Sequence, residues 1–176
     1  MKHHSLQRGF SLIEVLIVIA IAAIMATIAV PSLMGFVNQN RLNRLKIMLA
    51  NDINSARSES IKSNKRYVIC PANNNATDCS ITSNWATTGW LICPASGLNA
   101  NCDTTQSAVV VRQPVTNGIS ISAATSPYAV IFRSIGTATA ATGTATAAPQ
   151  TFNLTGATGA TPGSVGVAIT GAVSTQ

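Results

Sequence analysis

Arg8–Pro31, RGFSLIEVLIVIAIAAIMATIAVP, is the stretch whose reading decides the fold. A basic residue and a glycine precede Phe10, and one carboxylate, Glu14, follows four residues later. From Val15 to Val37 there is no charged residue and almost every side chain is apolar. As a helix, that segment is about 34 Å long, against a hydrocarbon core of about 30 Å. It is long and apolar enough to span a membrane, and Lys2 and Arg8 before it orient the N-terminus to the cytoplasm. A secretory signal would carry small residues for cleavage after its apolar stretch. Here Pro31 arrives instead, and an amphipathic pattern takes over.

That pattern places Leu33, Phe36, Val37, Leu42, Leu45, Leu49, Ile53 and Ala56 as apolar positions, spaced by three or four from Leu42 onward. Arg41, Arg44, Lys46, Arg57, Glu59 and Lys62 flank the stripe. The spacing predicts one helix from Phe10 to near Lys62, loosened or kinked at Pro31. Its first half is apolar all round and its second half can pack under a head. Short runs rich in Val, Ile and aromatics then predict strands at 66–70, 89–93, 108–113, 119–122, 128–135, 151–154 and 165–170. The Ala/Thr/Gly stretch Gly136–Pro149 reads as a loop. The fold class is α+β, with a long N-terminal helix laid against a small antiparallel β head. The boundaries are 1–9 leader, 10–36 membrane or filament-core helix, 37–63 amphipathic helix half and 64–176 head.

Charged residues make up only 9% of the 176, well under the usual fraction of about 25%. With the Ala, Thr, Ser, Asn and Gly of the second half, this fits an extracytoplasmic β-rich surface better than a cytosolic enzyme. Cys70, Cys79, Cys93 and Cys102 lie in two copies of C-P-A-x6-C, CPANNNATDC and CPASGLNANC. An even count in an exported head points to disulfides. The repeat favours 70–79 with 93–102 among three possible connectivities. Zinc fits poorly, since there is no C-x2-C pair and both histidines, His3 and His4, lie in the leader. No catalytic set can be assembled. The carboxylates Glu14, Asp52, Glu59, Asp78 and Asp103 show no partner in sequence, and there is no phosphate-binding glycine loop and no G-x-S-x-G. Neither an enzyme nor a cofactor is expected. Arg57, Lys62, Lys65 and Arg66 form the densest basic cluster, either a solvated helix end or a phosphate contact. Trp85 and Trp90 read as core anchors rather than ligand platforms.

Gly9-Phe10-Ser11-Leu12-Ile13-Glu14 resembles the processing site of type IV prepilins and type II secretion pseudopilins. The resemblance implies that a prepilin peptidase cuts after Gly9 and that Phe10 becomes an N-methylated N-terminus. It implies that Glu14 is the charge that pairs with that terminal amine, on the same or a neighbouring subunit, and sets register. It also implies that Pro31 is the helix-kinking proline. Ser11 stands where threonine is common. Removal of Lys2 and Arg8 with the leader would lower the net charge from +6 to +4. A plain single-pass anchor explains the apolar run but not Glu14, since a carboxylate at the centre of a span costs roughly 2.5–3.5 kcal/mol.

The head adds a second resemblance. The segments are ARSESI at Ala56–Ile61, the pair Trp85 and Trp90 with Gly89 between them, Phe132-Arg133-Ser134-Ile135-Gly136, and TFNL at Thr151–Leu154. Together they are similar to the GspH/FimT family of minor pilins and pseudopilins. This implies the type IV pilin fold and the role of a minor pilin, a structural subunit that primes or caps type IV pilus assembly. The implied partners are prepilin peptidase, other major and minor pilins or pseudopilins, an inner-membrane assembly platform, and membrane lipid before assembly. The implied location is the bacterial inner membrane with the head periplasmic, then the pilus or pseudopilus. One alternative is a GspH-type pseudopilin of type II secretion. Another is a DNA-binding minor pilin of natural transformation, whose tail often carries G-R-x-R. Here the tail reads Gly171-Ala172-Val173-Ser174, without either arginine, which argues against DNA.

Overall fold

The computed structural model describes residues 10–80, 84–97, 101–103, 105–108, 110–115, 118–124, 128–140, 150–156 and 158–176. Helix α1 (Leu12–Ser63) takes up 52 residues, about 78 Å of rise. It runs unbroken through Pro31, which has no N–H to give the carbonyl of Thr27. Asn64, in the left-handed region at φ 52°, ends it, and its N–H reaches Ile61 O at 3.4 Å.

The head holds two antiparallel sheets. The strands are β1 (Tyr67–Pro71), β2 (Trp90–Pro94), β3 (Val110–Val111), β4 (Ser120–Ala123), β5 (Val130–Phe132), β6 (Ala138–Ala140), β7 (Gln150–Thr155), β8 (Gly163–Val167) and β9 (Val173–Thr175). The first sheet has the order β3-β2-β1-β5-β6 and the second β4-β7-β8-β9. A one-turn helix, α2 (Trp85–Thr88), precedes β2, with Asn84 Oδ1 accepting from Ala86 N.

Helix α1 supplies Leu42, Leu45, Leu49, Ile53 and Ala56 to the main core. These are the amphipathic stripe, while Leu33 and Phe36 of the same pattern stay exposed. Strand alternation sorts the first sheet: Tyr67, Ile69, Trp90, Ile92, Val130 and Phe132 face the helix. Val68, Cys70, Leu91, Cys93, Ala129 and Ile131 face the other way into a second, smaller core. That core is roofed by the cysteine loops, so both faces of the central strands are buried. The second sheet has one inner face, made by Ile121, Phe152, Leu154, Val165 and Val167. Trp85 meets Phe152 edge-on at 4.5 Å and donates to Tyr128 O, so both tryptophans are core residues.

The C-P-A-x6-C repeat is a structural repeat as well. Disulfides join Cys70 to Cys79 and Cys93 to Cys102, each with Cα atoms 5.5 Å apart. Matching bridges pair Ala72 with Cys79 and Ala95 with Cys102. Matching hydrogen bonds run from Ser80 N to Pro71 O and from Asp103 N to Pro94 O, both 2.8 Å. Ile69 pairs across β1–β2 with Ile92, its own counterpart in the repeat, so a local two-fold axis passes through that pair. Asp78 Oδ1 accepts from the N–H of Cys79 and of Cys102, both at 2.7 Å, and ties the loops together. Each closed loop contributes on the order of 2–3 kcal/mol by the chain-entropy estimate.

Several sequence expectations are corrected here. Strand β6 occupies 138–140 of the stretch read as a loop, of which 141–149 lie outside the described residues. Among the described residues of the run at 108–113 the strand is Val110–Val111, and the run at 165–170 shifts to Gly163–Val167. Strand β9 and helix α2 were not expected. Asp52, read as lacking a partner, is 3% exposed and has two: Trp90 Nε1 donates to Oδ2 at 2.9 Å, and Arg112 holds both oxygens in a fork at 2.7 Å. This hydrogen bonding raises the pKa of Arg112.

Asp52→Ala therefore strips the Trp90 indole of its acceptor and Arg112 of its counter-charge, at a cost of about 2–4 kcal/mol. Arg112→Ala costs less, because that side chain is 40% exposed. A double-mutant cycle by chemical denaturation should give a coupling of about 1 kcal/mol or more. Additive, negligible losses would show the fork to be idle.

Candidate functional site

Among the described residues, the lower half of α1 packs against nothing else in the chain. Phe10 is 82% exposed, and Leu12, Ile13, Leu16, Val18, Ile19, Ile24, Met25, Ile28 and Met34 are exposed with it. Its most apolar 18-residue window has mean hydropathy 2.8 and is 0% buried. A continuous apolar surface of this size belongs in lipid or against other apolar helices.

Among the described side chains, two polar ones interrupt it after the helix begins. Thr27 satisfies itself, its hydroxyl donating to Ile24 O at 2.7 Å, so it enters an apolar medium at little cost. Glu14 sits in the first turn, where its N–H bonds Ser11 O at 3.1 Å. Its carboxylate has no partner among the described residues and stands exposed beside Phe10. An acid at a helix N-terminus is favoured by the dipole, but in lipid or a packed bundle it calls for a cation. Gly9, the expected cleavage position, lies outside the described residues. Phe10 is the first residue of the described chain, and the side chain of Pro31 is likewise outside the described set.

The head is fastened to the helix at three levels. Lowest, the turn between β7 and β8 presses on the end of the apolar segment. A Cβ on Gly159 would stand 3.2 Å from Gly35 Cα, so backbone meets backbone there. Asn38 Nδ2 donates to Thr158 O at 2.8 Å, and Gln39 Oε1 accepts from Thr161 N at 2.7 Å. The middle fastening is the Asp52 fork. The uppermost joins two of the sequence segments that carried the second resemblance: Arg57 Nε donates to Gly136 O at 3.0 Å, and Ser60 Oγ donates to Arg57 O and Arg133 O at 2.7 and 3.0 Å. Arg57 Nη2 also reaches Thr170 O at 3.2 Å, and Gly171, at φ +78°, lies so close to Gly136 that a Cβ there would collide with Gly136 O.

The basic cluster thus separates. Arg57 is bound into the head. Lys62 pairs with Glu59 at 3.0 Å, and Lys65 donates to Gln106 at 3.2 Å. Lys65 and Arg66 line a shallow groove that also contains Asp103. The Asp103 carboxylate accepts from Thr105 and Gln106, which lowers its pKa and keeps a negative charge in that groove. The sulfurs of Cys70, Cys79 and Cys102 lie within 4.8 Å of one another, but the two disulfides leave no thiolate to hold a metal. Sequence reasoning missed Asp52 and Arg112. The available signal was a carboxylate three residues after Leu49, next to Ile53, on a face that has to be buried.

A family model for the prokaryotic N-terminal methylation motif matches residues 4–30. Another, for the type II transport protein GspH, matches residues 48–175. No curated protein matches the chain. In structure it is similar to the type IV minor pilin FimU of Pseudomonas aeruginosa strain PAO1. In one crystal form of FimU the TM-score is 0.58 at 13% identity, over 80% of this chain and 92% of that one. In another it is 0.54 at 16% identity, over 76% and 91%. At such identities the likeness establishes the fold, a pilin fold. By the match across its amphipathic helix half and head, the chain belongs to the GspH family.

Proposed function

We propose that the chain is a minor pilin, a structural subunit that helps prime or cap a type IV filament. The observation that carries this reading is the bare apolar half of α1, with Glu14 as its lone unpartnered charge, continuous with a half locked into the head. Prepilin peptidase cuts after Gly9, and the new amine of Phe10 is methylated. Before assembly the helix spans the bacterial inner membrane, with the N-terminus cytoplasmic and the head periplasmic. An assembly platform then draws the subunit out, and the helix exchanges lipid for the helices of other pilins. There Glu14 pairs with a terminal amine. A buried charge pair of this kind fixes register more than it adds stability. Family and fold are those of structural pilins rather than enzymes.

A second reading, a pseudopilin of type II secretion, is favoured by the family description itself. Deletion separates the two: loss of surface pili supports the first, and loss of secreted proteins with pili intact supports the second. DNA capture is disfavoured on two grounds. The tail lacks arginine, and Arg57 and Lys62 are occupied within the chain.

Glu14→Ala should leave cleavage intact and reduce incorporation into sheared filaments about tenfold, the equivalent of ~1.4 kcal/mol. Normal incorporation on immunoblots would refute the pairing. The chain should show no salt-dependent shift of duplex DNA beyond the non-specific range of about 10⁻⁴–10⁻⁶ M. Tighter binding that Lys62, Lys65 and Arg66 charge reversal abolished would restore the DNA reading.

A further inference from the structure

The first charges after the apolar segment are Arg41, Arg44 and Lys46, and no acid lies between Glu14 and Asp52. Arg41 and Arg44 are exposed and have no hydrogen-bond or ion-pair partner among the described residues. They line a groove of about 460 Å³ between α1 and residues 112–115 with Ile119. Leu45, Met48, Val115 and Ile119 give it apolar walls. Arg112 lies in the same groove, but its charge is spent on Asp52.

The depth of this groove follows from the lowest head–helix fastening. Gly159 lies on Gly35, and Thr158 and Thr161 bond Asn38 and Gln39, so the head begins where the apolar segment ends. Measured from Val37, Arg41 stands about 6 Å and Arg44 about 10 Å further along the axis. The headgroup layer on each side of a bilayer is about 5–8 Å thick. Arginine can also bend its guanidinium toward an interface. Arg41 therefore lies at the level of lipid phosphates and Arg44 just above it, within reach of them through its bent side chain, with apolar surface beside both.

We propose that this groove holds an anionic phospholipid of the outward-facing leaflet, its phosphate on Arg41 and Arg44 and its glycerol and upper chain on Leu45 and Met48. The inference rests on the membrane-spanning reading above. A second copy of this chain supplies no suitable acid. Asp52 is bound to Arg112, Glu59 to Lys62, Asp78 to two backbone N–H groups and Asp103 to its own turn, while Glu14 lies in the apolar segment. Nucleic acid offers phosphate but nothing for the apolar walls. The role that follows is to hold the subunit upright at the membrane until it is extracted, when the lipid is left behind.

The test uses the full-length chain in nanodiscs, released into native mass spectrometry, with phosphatidylglycerol and phosphatidylcholine of matched acyl chains. The chain should retain phosphatidylglycerol about tenfold over phosphatidylcholine. Arg41→Gln with Arg44→Gln should abolish that preference, and Lys62→Gln should leave it unchanged. Equal retention of the two lipids, or a preference that survives the double substitution, would overturn the proposal. So would displacement by glycerophosphoglycerol as effective as by the intact lipid, which would mark a bare anion site, or displacement by a duplex oligonucleotide. Alkaline extraction separates the two readings: a chain that washes off the membrane fails the spanning reading and this inference together. A firmly inserted chain with no headgroup preference overturns this inference alone.

Discussion

One helix has to satisfy two environments, and the rest of the structure follows from where it changes between them. Below Gly35 the described side chains of α1 are exposed and, apart from Glu14 and Thr27, apolar. Above Gln39 one stripe is buried under the head and the other faces carry charge. Water alone would not tolerate the lower half, and lipid alone would not tolerate Arg41, Arg44 and Lys46. The change is made within about one turn, where the turn between β7 and β8 lies against the helix through Gly35 and Gly159. A Cβ on Gly159 would crowd Gly35 Cα at 3.2 Å from a backbone already at φ +77°, whereas one on Gly35 would meet Gly159 O at an ordinary contact distance of 3.5 Å.

The head is held to the helix by contacts that differ in kind at each level. At the bottom they are backbone packing and amide hydrogen bonds, and at the top Arg57 and Ser60 close on the carbonyls of β-turn residues. Between them the side chains that α1 buries are apolar except for Asp52. A buried carboxylate is expensive unless it is paired and hydrogen-bonded, and here the Arg112 fork and the Trp90 indole give it three hydrogen bonds. Three long-range ties along about 37 Å of helix make helix and head one body. A pull on the apolar half is thereby transmitted to the head, as the proposed role in a filament would require. On the far side of the first sheet the paired disulfide loops replace a second layer of secondary structure. Their two-fold arrangement about Ile69 and Ile92 covers the small outer core.

Much of this was legible in the sequence because it is local. The helix shows in the period of Leu42, Leu45, Leu49 and Ile53, and the apolar half in the unbroken run from Val15. The cysteine loops show in a spacing repeated within one chain. What escaped is long-range or weakly patterned. Asp52 and Arg112 are 60 residues apart, and nothing near either announces the other. Strands β6 and β9 are three-residue edge strands of Ala, Thr, Val and Ser, too short to show alternation. The basic residues near the end of α1 look like one cluster in sequence. On a helix and the turn after it they point to separate partners: Arg57 to the head, Lys62 to Glu59, Lys65 to Gln106.

The central claim is that the apolar half of α1 is a processed, transferable strut rather than a permanent anchor. The mass of the mature chain isolated from cells tests it most directly. The account predicts a chain that begins at Phe10 and carries one extra methyl group on its terminal amine. An intact chain from Met1, or one cut after the apolar segment, would contradict it.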